Sequence, residues 1–142
     1  MSVPKWKQRL SHVKYLWCIY QFTIRVSQIV ENKPKKYKGT YSDKLIKLSL
    51  CALEEAMMGN EIYVRSKKDY EERRLHLLRA KGYLSALLPI GDIFLELCKE
   101  GTGADIHKLT KNQFEIGNRV EEILNLLTAV IDSDKKRYAK LT

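Results

Sequence analysis

Helix breakers are scarce in this chain of 142 residues, which contains only three prolines and seven glycines. That scarcity argues against a loop-rich all-β design. Cysteine is scarce too: Cys18, Cys51 and Cys98 lie far apart and form no CxxC spacing, which excludes a zinc ribbon or a disulfide framework. Each sits in an apolar helical pattern, where a reduced thiol behaves as a small hydrophobe, so buried free thiols in a reducing compartment are expected. No apolar run approaches the roughly 18–20 residues of a membrane span. The opening "MSVPKWKQRLSHVKYLWCIYQF" is basic and then apolar, as a secretory signal is. Lys14, Tyr20, Gln21 and Arg25 interrupt its apolar part, however, and it lacks a small-residue cleavage site. A cytoplasmic protein with no membrane partner is the expectation.

Acidic residues are nearly missing from the first third. Residues 1–47 hold eleven basic residues against Glu31 and Asp43, whereas the remainder holds fifteen of each sign. The whole net charge of +9 therefore belongs to the first third. Such asymmetry points to a polyanionic partner; the plainer alternative is a solubilising surface. Its densest part is "NKPKKYKG", with Lys33, Lys35, Lys36 and Lys38 inside six residues.

With 44% hydrophobic and 30% charged residues, the rest has an ordinary globular balance, enough for one domain over 1–142. Four segments carry helical periodicity and none carries sustained strand alternation. Leu16, Ile19, Phe22, Val26 and Ile29 predict a helix over about 11–31, ended by Asn32-Lys33-Pro34. Ser42 as N-cap opens a second over about 42–65, with wide apolar faces on Leu45, Leu48, Ala52 and Ala56 and on Ile46, Leu50, Leu53 and Met57. Gly59-Asn60 is expected to loosen it. A third covers about 69–100, with Leu75, Leu78, Leu84, Leu87, Leu88, Phe94, Leu95 and Cys98 inward. A kink or short break at Pro89 and a close helix approach at Gly91 are expected there. "GTGADIHK" reads as a loop. Thr110-x-x-Gln113 then opens a fourth helix, about 110–136, as a capping box, with Phe114, Gly117, Val120, Leu124, Leu127 and Ile131 inward, helped by Ile116, Ile123 and Val130. The fold class is therefore all-α, an antiparallel up-down-up-down four-helix bundle.

Motifs for catalysis are missing. There is no P-loop, GxSxG, HExxH or dinucleotide-binding turn. A di-iron bundle requires Glu-x-x-His pairs on two helices, and none occurs. His76 follows Glu72 by four residues, a spacing expected to give a surface pair. No enzyme, metal or cofactor is expected. A nucleic-acid partner, by contrast, needs only positive charge to meet phosphates. The candidate contacts are Lys33, Lys35, Lys36, Lys38, Lys44 and Lys47, with Lys5, Lys7 and Arg9 at the start. Tyr37 and Tyr41, interleaved with these lysines, either stack on unpaired bases or pack back and anchor the loop. Arg73-Arg74 is matched by Glu71-Glu72 as surface pairs. The wide apolar faces, with Trp17, Tyr20 and Tyr63, favour a homo-oligomer.

The order "NKPKKYKG", "DKLIKLSLCALEEAMMGN", "RLHLLRAKGYLSALLPIGDIF" and "LTKNQFEIGNRVEEILNLLTAVI" resembles the accessory variability determinant (Avd) family of diversity-generating retroelements, over about residues 16–136. That family is related to the four-helix-bundle proteins of 23S rRNA intervening sequences. Pro34-Lys35-Lys36 matches the family's Pro-basic loop, and Glu115-Ile116-Gly117 and Glu121 fall in its fourth-helix pattern. The resemblance implies a non-catalytic homopentameric barrel that binds template RNA and the reverse transcriptase during mutagenic cDNA synthesis. Where family members often carry arginines late in the third helix, this chain reads "LSALLPIG". The basic first third is therefore the better expected RNA surface. Instead of the "NIAEG"-like element of the rRNA-insert proteins it has "CALEEAMMGN". The alternatives are an rRNA-insert bundle of other role, or an adaptor whose basic surface meets an acidic protein.

Overall fold

A computed structural model describes residues 2–141; it is all-helical, with no strand among the described residues. Five helices pack together: α1 (Lys5–Ser11), α2 (Lys14–Glu31), α3 (Asp43–Glu61), α4 (Lys67–Lys99) and α5 (Ile106–Arg137). One hydrophobic cluster draws on all of them, from Leu10 of α1 to Ile131 of α5.

The expected first helix over 11–31 is α2, starting three residues later, and a short helix that was not expected, α1, precedes it. Val13 adopts an extended backbone (φ −106°, ψ 105°) and separates α1 from α2. α1 is held by its single buried side chain, Leu10. α2 buries the predicted stripe, and the hydroxyl of Thr23 within that stripe donates to the Ile19 carbonyl at 2.8 Å.

Ser42 is not an N-cap. The chain winds through a 3-10 turn (Lys35–Tyr37) and a π turn (Lys38–Ser42) straight into α3, and Ser42 itself is helical and buried. α3 ends at Glu61 rather than 65, because Ile62 turns extended. Gly59 does not loosen it. A Cβ there would lie 3.2 Å from the Cβ of His76 and 3.3 Å from the Arg73 carbonyl oxygen, so this glycine lets α4 cross close by. Ala52 and Ala56, fully buried on the same line, keep the seam narrow. At Gly91, where the close approach was expected, an added Cβ would make ordinary contacts of 3.7 Å and more.

Ser66 caps α4 by accepting from the Asp69 N–H (3.2 Å), and the Asp69 carboxylate accepts from the Arg65 N–H (3.0 Å). α4 runs through Pro89 without a break. Pro89 and Ser85 are both on the exposed side, where water can satisfy the Ser85 carbonyl that the proline ring leaves unpaired. α5 starts four residues before its expected Thr110. Asp105 caps it by accepting from the Lys108 N–H (3.1 Å), and Gln113 bonds Asp92 and Glu96 of α4 instead of closing a capping box. Its buried line is Leu109, Asn112, Ile116, Val120, Ile123, Leu127, Ile131 and Asp134. Phe114, expected inward, is 69% exposed, and Leu75 and Leu78 of α4 are also exposed.

Candidate nucleic-acid interface

The segment after α2 owes its shape to three rings. Tyr41 stacks on Phe94 of α4 at 5.9 Å between centroids, and Tyr37 meets both Tyr41 and Phe94 edge-on at 6.0 Å. Both tyrosines are partly buried against the core. They therefore hold the segment down against the core. The lysines around them, Lys35, Lys36 and Lys38, are exposed, with the Lys36 ammonium over the Tyr37 ring, 5.0 Å from its centroid.

Of the other candidates, Lys44 and Lys47 are exposed on the first two turns of α3. Lys5 and Arg9 are exposed on α1, and Lys7 lies 5.8 Å from the ring centroid of Tyr20, partway along α2. The structure thus forms two basic areas, one around the segment that follows α2 and one on α1 beside α2. Among the described residues, none of these nine cations forms an ion pair. Unpaired surface cations are free to displace counterions from a polyanion.

Lys33 differs from the rest. It is half-buried, and burial pushes its ammonium below the usual lysine range, with repulsion from Lys108 and Arg25 adding to the effect. Arg25 and Lys108 were not among the sequence candidates. Arg25 lies on α2 within its 18 residues and Lys108 in the first turn of α5, and no local pattern links them.

The other charged groups serve packing. Arg73 does not pair along its own helix. Its Nε donates to Asp134 of α5 at 2.6 Å and its Nη1 to the Gly59 carbonyl at 3.2 Å. His76 pairs with Glu55 of α3 and not with Glu72. Arg25 is bound twice by Glu115 (2.6 and 3.0 Å), which holds that carboxyl below its ordinary range. The cysteines are free. Cys98 is buried, whereas Cys18 and Cys51 are only half-buried. Burial raises the Cys18 and Cys98 thiols. Among the described residues no group of three or more His, Cys, Asp or Glu is placed to hold a metal ion, and no helix is long and apolar enough to cross a membrane.

Comparison with known proteins finds no match for this chain among family models, curated proteins or solved structures.

Proposed function

We propose that this protein is a non-catalytic RNA-binding accessory protein of a diversity-generating retroelement, supporting mutagenic cDNA synthesis with the element's reverse transcriptase. The observation that carries the RNA reading is the anchored segment after α2. Lys35, Lys36 and Lys38 stand exposed, without an ion pair among the described residues, on a backbone that Tyr37, Tyr41 and Phe94 hold in place, so little ordering entropy is lost when a polyanion docks. The excess charge of +9 is concentrated in the third of the chain to which that segment belongs.

In this reading α2 to α5 form an up-down-up-down four-helix bundle, with α1 added beside α2. Several cross-helix bonds support it. Tyr15 at the start of α2 donates to Asn60 at the end of α3 (3.0 Å), and Arg73 early in α4 binds Asp134 late in α5. Arg25 in the second half of α2 binds Glu115 in the first half of α5. Each of these bonds joins the earlier part of one helix to the later part of the other.

Replacing Lys35, Lys36 and Lys38 together by Gln is expected to weaken binding of a structured RNA about tenfold or more at moderate salt. It should also flatten the slope of log affinity against log salt by about two to three units. Filter binding over a salt series measures both. Unchanged affinity and slope would remove this segment from the interface. An acidic protein that loses binding to the triple variant while RNA does not would favour the adaptor reading.

The same reading includes self-association into a ring, five-membered by the family resemblance. An exposed row on α4, Leu75, Leu78, Gly82, Ala86, Pro89 and Ile93, contains no charge and follows three- and four-residue steps. Sedimentation is expected to give a mass several times 16.6 kDa, falling to the single-chain value in Leu78→Glu. A wild-type protein that sediments as a single chain refutes this part.

A further inference from the structure

The end of α2 and the start of α5 form a half-open cavity of about 240 Å³, lined by Arg25, Gln28, Glu31, Lys33, Lys108 and Asn112 among others. Two features set it apart from an ordinary surface dimple. Asn112, 5% exposed and on the inward line of α5, has a buried side-chain amide nitrogen with no hydrogen-bond partner among the described residues. A buried donor without a partner is uncommon, and in a native protein it calls for an occupant. The second feature is charge. Three cations line the cavity, and among the described residues only Arg25 is paired, through Nε and Nη2, leaving Nη1 outside that pair. Among the same residues Lys33 and Lys108 form no ion pair, and the one carboxylate lining the cavity is that of Glu31.

We propose that this cavity is a phosphate-binding site, with Lys33, Lys108 and Arg25 neutralising the anion and the Asn112 amide donating to one of its oxygens. Water alone would satisfy Asn112, since a single water needs only ~15 Å³ of space, but water does nothing for mutually repelling cations. An oxyanion meets both demands, because it accepts hydrogen bonds and carries the compensating charge. Phosphate offers several acceptor oxygens to donors arriving from two helices. The backbone N–H groups of the first turn of α5 are not the source of the binding, since Asp105 already caps that end by accepting from the Lys108 N–H. The repulsion that depresses the Lys33 ammonium is what a bound anion would relieve.

The phosphate has two possible sources, a free or terminal phosphate group and the backbone of an RNA strand. The second rests on the RNA reading above and deepens it, by giving the diffuse lysine surface one fixed phosphate position.

The test uses the full-length protein with inorganic phosphate as probe, against sodium chloride at equal ionic strength. A rise of the thermal midpoint with phosphate concentration reports binding. The wild type and the Lys35, Lys36 and Lys38 triple variant are expected to show the same shift. Lys108→Gln, at an exposed position, and Asn112→Leu, which swaps the orphan amide for an apolar group of similar size, are expected to weaken phosphate about tenfold or more. If phosphate acts no differently from chloride on the wild type, or acts equally on all variants, the site does not exist. A short RNA without terminal phosphate forms the second arm. Competition between it and phosphate, lost in Lys108→Gln, assigns the backbone as source. Phosphate binding without any such competition assigns a free or terminal group. Should the wild type bind phosphate but no RNA, the proposed function fails while the site stands.

Discussion

Arg73→Ala is expected to lower the unfolding free energy by about 3–5 kcal/mol, because it strands a buried carboxylate. The Arg73 and Asp134 side chains retain only 14% and 6% of their exposure, and their Nε–Oδ2 separation is 2.6 Å. The guanidinium also donates to the Gly59 carbonyl, which accepts from the Ile62 N–H as well, at the close crossing of α3 and α4. Tyr15, whose phenol is raised by burial with Arg73 opposing, lies in the same group and donates to Asn60. One arginine thus ties α3, α4 and α5 together where α2 begins. Asp134→Ala should cost a similar amount, for the mirror-image reason. A paired replacement, Arg73→Met with Asp134→Leu, should cost much less than either single change, because no charge is then left buried. Urea unfolding of the three variants measures this. Single variants that lose less than about 1 kcal/mol would mean that water reaches the pair.

Phe94→Ala should destabilise the fold by about 3–5 kcal/mol, as expected for a buried phenylalanine truncated to alanine. Phe94 is fully buried, and it is also the ring on which Tyr37 and Tyr41 rest. The loss should therefore spread to the basic segment. Hydrogen exchange in residues 35–42 should accelerate, and trypsin should cut at Lys35, Lys36 or Lys38 well before the rest of the chain. Phe94→Leu separates the two effects. It keeps most of the packed volume but removes the aromatic contacts, each worth about 0.5–1.5 kcal/mol, so the segment should loosen while global stability falls less. Equal protection of residues 35–42 in the wild type and both variants would show that the tyrosines do not need Phe94.

Several features could be read from the chain itself. The α2 stripe from Leu16 to Ile29 is buried as its spacing predicts, because a run of apolar residues at three- and four-residue steps has only one face to hide. The inward set of α4 from Leu84 onward is also borne out, including Phe94 and Cys98. Errors gathered where two adjacent stripes competed. On α5, Phe114, Gly117 and Leu124 lie on one side of the expected stripe and are exposed or half-buried, whereas Val120, Leu127 and Ile131 are buried together with Ile116 and Ile123. Only the neighbouring helices decide how far the stripe is rotated inward, and the line they chose also carries Asn112 and Asp134. Two polar residues on that line weakened its hydrophobic signal. Leu75 and Leu78 were misplaced for the same reason: at that level α3 presents Gly59 and Ala56 to the Ala80 and Leu77 side of α4.

Helix ends failed on a different principle. Ser42 and Thr110 both satisfy local capping rules, yet neighbours overrode them. Tyr37 and Tyr41 pull the preceding turns into helical winding against Phe94, and Asp105 caps α5 a turn early. Local hydrogen-bonding preference is worth about 1 kcal/mol, less than the burial of aromatic rings.

By itself, then, the sequence determined that the chain is helical, where its excess charge lies, and most of the inward face of α2, because periodicity and charge are local properties carried along one segment. The tertiary structure alone decided that Tyr37 and Tyr41 anchor the lysine segment, that Arg73 reaches Asp134, and that Arg25, Lys33, Lys108 and Asn112 line one cavity. Those residues stand as much as eighty-seven positions apart in the chain. They are brought together by the docking of α5 on α2, and no pattern within a single helix encodes that.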